Sequence, residues 1–427
     1  MSARGPCAPP PAELDRLLRA CIQCGLCLPH CATYLATANE AQSPRGRLLL
    51  LGRLVAEPSR VPAAAEIDAL DLCLGCRACV TACPSGISAT LLEVAKARAH
   101  AVRRGPGAWL IAALLSRRGA LAALGAPIRW GRAALPRLPW TGSRVGRWVA
   151  AVPASWQDAD LARLLAGLVA RAGAGGASGT DGAARAARRA TPPAPPRRVA
   201  LFRGCASGAL LPHAQQRLRA LLTAAGCEVS VPRGQACCGA LAEHAGQPRR
   251  AARQRRVNLA ALARDPADVV IVEAAGCGLE LQGYPPPLAA RARDAAAVLA
   301  ELPLPPPRAV PLRVAYHDPC HARHGQGIVD EPRALLARIP GLIVVEPREA
   351  EVCCGSGGPY ALLHPELAAR MGRRKAQCLA ETGADLIVTG NPGCLGQIAG
   401  ALRDVAPDLP ILPLTDLLWW AHVAGEC

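Results

Sequence analysis

Apolar and polar positions along the chain follow two regimes. Between residues 90 and 170 the apolar residues recur at helical spacing, as in LLEVAKARAHAV and LARLLAGLVARA. After residue 197 short β-rich runs alternate with helical stretches. RRVALFRGC, ending at Cys205, is matched about 115 residues later by LRVAYHDPC, ending at Cys320, and each run stops in a turn at its cysteine. The copies then stay in step. Each continues with a helical stretch (PHAQQRLRALLTAAG and EPRALLARIPG), a second strand (CEVSV and LIVVE), and a doublet, Cys237-Cys238-Gly239 or Cys353-Cys354-Gly355. A helix rich in Ala and Arg, a third strand (DVVIVE and DLIVTG) and Gly276-Cys277 or Gly393-Cys394 close the unit. Strand, helix, strand, helix, strand predicts parallel α/β layers, and two such units in tandem are an internal duplication. Residues 171–197, rich in Gly, Ala and Ser and then in Pro, read as a flexible and then stiffer linker ahead of the repeats.

A length of 427 residues allows two to four domains. Apolar residues make up 51% but aromatics only 3%, so the cores are built from Leu, Val and Ala. The formal charge of +17 would ordinarily suggest a nucleic-acid or anionic-membrane partner. All but two of the 49 basic residues are arginine, however, with lysine only at Lys96 and Lys375. Beside heavy Ala, Gly and Pro, that is a bias of the whole chain and not a basic face. No alternation of basic and aromatic residues is present to clamp a nucleic-acid strand, so no nucleic acid is expected. The polar, proline-rich start MSARGPCAPPPAELDRLL has no apolar core of a secretory signal, which makes a cytoplasmic location the expectation. The apolar run Trp109–Leu115 is broken by SRRG, far short of the roughly 20 residues that span a bilayer, so membrane association would be peripheral.

Twenty cysteines decide the chemistry. In a reducing compartment, thiols this abundant read as metal ligands and not as disulfides. CIQCGLCLPHC places Cys21, Cys24, Cys27 and Cys31; CLGCRACVTACP places Cys73, Cys76, Cys79 and Cys83, with Pro84 following. Both runs have the C-x₂-C-x₂-C-x₃-C spacing of bacterial ferredoxins, in which the fourth cysteine of a run ligates the other cluster. The expectation is two [4Fe–4S] clusters, one on Cys21, Cys24, Cys27 and Cys83 and one on Cys73, Cys76, Cys79 and Cys31. Ala32 stands where the first run would usually carry Pro, which loosens the turn but removes no ligand. Zinc also uses four cysteines, but in pairs parted by a longer loop, and a third cysteine at the same interval does not fit. Gly25, Gly75 and Gly86 suit close backbone approach and amide donation to sulfur, against the plainer reading of ordinary turns.

Each repeat adds four cysteines at strand ends or turns: Cys205, Cys237, Cys238 and Cys277, then Cys320, Cys353, Cys354 and Cys394. The carboxyl ends of parallel strands gather binding residues. A further iron–sulfur or metal centre, redox thiols and structural remnants all remain open for them. Cys7, Cys227, Cys378 and Cys427 match no pattern. His317, His321 and His324 crowd around Cys320, where they could ligate metal, relay protons or contact an acidic partner, or simply build a polar turn. In SPRGR, residues 43–47, Arg45 and Arg47 could hold a carboxylate, or the segment is a solvated turn opening the helix GRLLLLGRLV. No G-x-G-x-x-G, P-loop or G-x-S-x-G motif is present, so the chain is expected to carry electrons without its own flavin or nicotinamide.

A two-cluster ferredoxin module with SPRGR between its cysteine runs, followed by tandem CCG domains and the YHDPCH turn, resembles the iron–sulfur subunit of bacterial glycolate oxidase (glycolate dehydrogenase). The cysteine runs are also similar to those of the iron–sulfur subunit of anaerobic glycerol-3-phosphate dehydrogenase and of heterodisulfide-reductase-like proteins. The resemblance implies an FAD-bearing partner subunit that oxidises glycolate to glyoxylate, and D-lactate to pyruvate as a second substrate, with a third subunit open. Electrons would pass through this chain to an acceptor such as quinone, making it part of a flavin-dependent oxidoreductase. Heterodisulfide reductases end each CCG domain in C-x-x-C; here Ala274 and Asn391 take the first cysteine's place, so each site is one thiolate short. The expected fold is α+β and multidomain: an α-helical two-cluster ferredoxin module over 1–100, a helical connector over 101–170, the linker over 171–197, and α/β CCG domains over 198–308 and 309–427. A thiol–disulfide catalyst in the CCG half and a basic zinc protein binding nucleic acid are the rival readings.

Overall fold

The computed structural model describes residues 11–57, 59–102, 106–117, 119–120, 158–174 and 198–424. Cys7, Cys427, residues 121–157 of the connector and residues 175–197 of the linker lie outside the described residues.

Each repeat folds as a four-stranded parallel sheet. In the first, β1 (Arg198–Phe202), β2 (Glu228–Ser230), β3 (Val269–Val272) and β4 (Ala292–Asp294) stand in the order β2-β1-β3-β4. In the second, β5 (Arg313–His317), β6 (Ile343–Val345), β7 (Leu386–Thr389) and β8 (Ile411–Pro413) repeat that order as β6-β5-β7-β8. The registers correspond, with Val199 opposite Val269 and Val314 opposite Leu386. The fourth strands were not expected from the sequence. Three residues each, they are too short to show a period of their own, and pairing to β3 and β7 defines them.

Strand residues alternate between two cores, as a period of two requires. Val199 and Leu201 of β1 and Val314 and Tyr316 of β5 point into one shared core. That core also holds Leu218, Leu221 and Leu222 of the helix Pro212–Ala224 and Leu414, Leu417 and Leu418 of the helix Leu414–His422. The repeats are therefore packed sheet face towards sheet face through shared helices. Ala200 and Phe202 point the other way, into a core containing Cys205, Cys237 and Cys238; Ala315 does likewise, beside Cys354 and Cys394. The helix Asp158–Ala174 covers the shared core with Leu161, Leu165 and Leu168, and continues past residue 171, where the linker was expected to begin.

Inside this interface Arg217 lies 2.8 Å from Asp416, and both side chains are 2% exposed. Burial holds the Asp416 carboxyl up at about 7, with Arg217 pulling it down. A second polar link runs from the Thr415 hydroxyl, which donates to Glu273 at 2.8 Å.

The N-terminal module is helical. Pro11–Arg19, Pro44–Ala56, Ala64–Asp71 and Ala89–Val102 pack Leu14, Leu48, Leu51, Leu70 and Leu91 around Cys73 and Cys79. It docks on the second repeat, where Ala32, Ala36 and Leu74 meet Val352, Cys353, Tyr360 and Met371. The Tyr360 hydroxyl donates to the Leu72 carbonyl at 3.2 Å.

Replacing Arg217 by Met leaves Asp416 buried without its cation. We expect a loss of about 3–5 kcal/mol, read as a lower thermal midpoint of the full chain, with much of it recovered by the double change Arg217→Met and Asp416→Leu. Equal losses in the single and double variants would contradict the pair's role.

Candidate iron–sulfur centres and thiol sites

The two cysteine runs trace the same backbone path. Left-handed residues stand at the second and fourth positions after the first cysteine of each: Gln23 (φ 57°) and Gly25 (φ 82°), then Gly75 (φ 68°) and Arg77 (φ 64°). Two of the four are not glycine, and L-residues in this region cost about 1–2 kcal/mol each, so the local fold is holding the chain to a required winding. The consequence is a crossed arrangement. Cys21, Cys24, Cys27 and Cys83 line one cavity. Cys73, Cys76, Cys79 and Cys31 line another, of about 900 Å³. Each cavity thus receives three thiols from one run and the last thiol of the other.

Cations and amides surround these sulfurs. Arg47 is buried at 2% exposure; its guanidinium donates to the Ala69 carbonyl at 2.8 Å and to Thr33 Oγ1 at 3.1 Å, and lies 3.9 Å from Cys31 Sγ. Lys96 donates to the Cys73 carbonyl at 2.7 Å, and the Gly75 N–H donates to Cys73 Sγ at 3.4 Å. Burial pushes the Lys96 ammonium down in pKa while Cys73 and Asp71 hold it up. Burial also pushes the Cys79 thiol well up. A set of four converging thiols with buried cations and amide donors suits an anionic [4Fe–4S] cluster.

SPRGR works as a helix start. Ser43 caps the helix by accepting from the Gly46 N–H, with Pro44 at the first position. A Cβ on Gly46 would stand 2.1 Å from the Glu40 carbonyl oxygen, so only glycine fits. Arg45 pairs with Glu40 at 2.5 Å, as a carboxylate-holding arginine. Among the described residues Arg47 meets no carboxylate: it points inward, bridging Thr33 beside the first run to Ala69 ahead of the second.

The large cavity opens beyond the cysteines towards both repeats, reaching His244, Glu243 and Glu280 of the first and His321 of the second. Burial and the neighbouring Glu243 raise the Glu280 carboxyl to about 7, although Arg255 lies 3.3 Å away. His321 Nε2 donates to the Gly75 carbonyl at 3.2 Å, which closes the second repeat over the second cysteine run. His324 Nε2 donates to the Glu351 carbonyl at 2.7 Å, and its Nδ1 faces the Thr81 hydroxyl at 2.7 Å.

In each repeat the four cysteines come together. Cys205 and Cys237 are 3.4 Å apart, and Cys238 contacts both Cys237 and Cys277. In the second repeat Cys353 contacts Cys320 and Cys354, and Cys354 contacts Cys394. Cys353 also lies beside Cys76, so the second repeat's thiols abut the large cavity through a shared contact. Cys277, Cys320 and Cys394 lie in the first turns of helices, not in the turns expected, because only two residues separate each strand from the helix that follows. His317 is fully buried beside Cys354 and Cys394; burial, with Lys375 adding to it, lowers its pKa to about 3 and keeps the imidazole neutral.

Comparison with known proteins fits these sites. Residues 17–87 match the 4Fe-4S dicluster domain, and residues 199–282 and 314–399 each match the Cysteine-rich domain. The chain is 32% identical over 413 residues to the probable glycolate oxidase iron-sulfur subunit of Bacillus subtilis (strain 168), spanning 88% of this chain and 87% of that protein. The chain belongs to the family of glycolate oxidase iron-sulfur subunits. The glycolate oxidase iron-sulfur subunit of Escherichia coli (strain K12) is 28% identical over 92% of each chain. Lactate utilization protein A of Oceanobacillus iheyensis (strain DSM 14371 / CIP 107618 / JCM 11309 / KCTC 3954 / HTE831) is 29% identical, matching 52% of this chain and 96% of its own. An iron–sulfur electron carrier of an oxidoreductase complex is what this membership establishes. No helix among the described residues is long and apolar enough to cross a membrane.

In composition the two lysines are only the remainder of an arginine-rich chain. Both stand beside thiols: Lys96 by Cys73, and Lys375, 2% exposed, by Cys353 and Cys354. An ammonium is a compact point charge, lowered in pKa by burial and held up by neighbouring sulfur and carboxyl groups, whereas a guanidinium is broad and stays charged. Their rarity in an arginine-rich chain was the available signal. Removing Lys96's charge disfavours the more negative, reduced state of a nearby cluster. Lys96→Met should lower one midpoint potential, by roughly tens of millivolts, in a redox titration followed by electron paramagnetic resonance (EPR). An unchanged or raised potential would contradict the charge argument.

Proposed function

We propose that the chain holds two [4Fe–4S] clusters, one on Cys21, Cys24, Cys27 and Cys83 and one on Cys73, Cys76, Cys79 and Cys31, and that it serves an FAD-linked subunit oxidising a 2-hydroxyacid. The observation that carries the reading is the crossed lining of the two cavities, three thiols from one run with the fourth of the other. When bound, such clusters take up and return single electrons at potentials set by charge, hydrogen bonds and exposure.

The chain's own residues perform the tuning. Arg47 and Lys96 offset thiolate charge, the Gly75 amide donates to Cys73, and the second repeat shields the second run from water through Val352 and Tyr360, packed on Leu74, and through His321. Glycolate is the proposed substrate of the partner, with D-lactate as the other member of the class, since relatives carry glycolate oxidase and lactate utilization names. A quinone is the proposed acceptor, with the complex cytoplasmic and peripheral at the membrane.

Cys24→Ala and Cys76→Ala should each abolish turnover of the assembled complex while glycolate still bleaches the flavin of the partner. Full turnover in either variant would contradict the assignment.

A further inference from the structure

The duplication supplies an internal comparison. Aligning β1 with β5 sets Phe202 against His317, at strand positions that face the cysteine side of each sheet. Aligning the helices Pro248–Ala263 and Pro365–Ala380 from their prolines sets Asn258 against Lys375. Three residues before the last cysteine, Ala274 stands against Asn391. At these positions the second repeat turns an imidazole, an ammonium and an amide towards its thiols, where the first has a phenyl ring, an amide bonded to backbone and tyrosine, and a methyl group.

The first repeat's residues are fully used as structure. Phe202 fills its core. Asn258 is spent on the Ala236 N–H, the Cys237 carbonyl and the Tyr284 hydroxyl, at 2.7, 2.9 and 3.2 Å. In the second repeat the Asn391 amide donates to Cys394 Sγ at 3.3 Å, and Lys375 bonds the Glu349 carbonyl while facing Cys354 and Cys353. His317 is the exception to satisfaction. It is 1% exposed, and neither Nδ1 nor Nε2 has a hydrogen-bond partner among the described residues.

An imidazole buried with both nitrogens unpaired leaves its desolvation uncompensated. Its surroundings show what would compensate it. One His317 nitrogen, Cys354 Sγ and Cys394 Sγ all lie within 4.8 Å of one another. Imidazole and thiolate together are a zinc donor set, with metal–nitrogen distances near 2.0–2.1 Å and metal–sulfur near 2.3 Å. Two thiolates and a neutral imidazole around a divalent ion sum to zero charge. A third thiolate from Cys353, in contact with Cys354, would fill the fourth position, its charge met by Lys375.

We propose that His317, Cys354 and Cys394 bind one zinc ion in the second repeat alone, making the two CCG sites chemically unlike. The ion ties β5, the doublet loop and the helix Pro392–Val405 together at the carboxyl edge of the sheet, on the side where Cys353 meets Cys76. This goes beyond the electron-carrier reading and does not depend on it.

The test compares the full chain with His317→Phe, which gives the second repeat the side chain of the first. Zinc, iron and acid-labile sulfide are measured per chain after anaerobic purification and equilibration with zinc chloride. We expect one tightly held zinc in the parent, at least tenfold less in His317→Phe, and unchanged iron and sulfide in both. Zinc-edge X-ray absorption on the unmodified chain checks the same claim without a variant, and should show one nitrogen with two or three sulfurs. Absence of zinc from the parent, equal zinc in both proteins, an all-sulfur shell, or loss of iron and sulfide in place of zinc would each overturn the site.

Discussion

A thiolate taken out of water must have a cation, a donor or a metal beside it, and most of this architecture answers that constraint. Sixteen cysteines gather at four places, and each place is built so that sulfur is compensated. Arg47 threads from the Thr33 hydroxyl, beside Cys31 Sγ, to the Ala69 carbonyl, joining the two cysteine runs. Lys96 secures the start of the second run from the facing helix. The left-handed residues that wind each run are tolerated because these contacts hold them. His317, beside Cys354 and Cys394, is the buried side chain at these places with neither ring nitrogen hydrogen-bonded among the described residues, and the proposed zinc site rests on it.

The repeats show how one scaffold yields two environments. Alternation along β1 and β5 sends one set of side chains into the core the repeats share and the other towards the cysteines. Packing therefore constrains Val199, Leu201, Val314 and Tyr316, whereas Phe202 and His317 are free to differ in chemistry. The second repeat is also the one closed over the second cysteine run, through Leu74, Tyr360 and His321. Its thiols abut the large cavity through Cys353 and Cys76, while the first repeat presents Glu243 and Glu280 to the same space. Asymmetry of position accompanies asymmetry of residues.

Much of this was legible in the sequence because it rests on local signals. Cysteine spacing announces itself within eleven residues, and three strands per repeat are long enough to show their apolar runs. What escaped depends on tertiary context. β4 and β8 are strands only because a neighbour pairs with them. Arg47 reads as a surface arginine beside Arg45, yet burial among Cys31, Thr33 and Ala69 gives it another task. The histidines could not be sorted by proximity in sequence: His321 and His324 bond through their rings to backbone of other segments, whereas neither ring nitrogen of His317 has a hydrogen-bond partner among the described residues. Lys375 lies more than fifty residues from Cys320 in sequence, and only the fold brings it to the second repeat's thiols.

On the reading proposed here the N-terminal module carries two cubane clusters on crossed cysteine sets. Iron and acid-labile sulfide per anaerobically purified chain, with EPR after reduction, test it most directly. About eight irons matched by eight sulfides, with interacting signals from two reduced clusters, is the result expected of this ligand arrangement. Iron and sulfide near four, or zinc without sulfide, would contradict it.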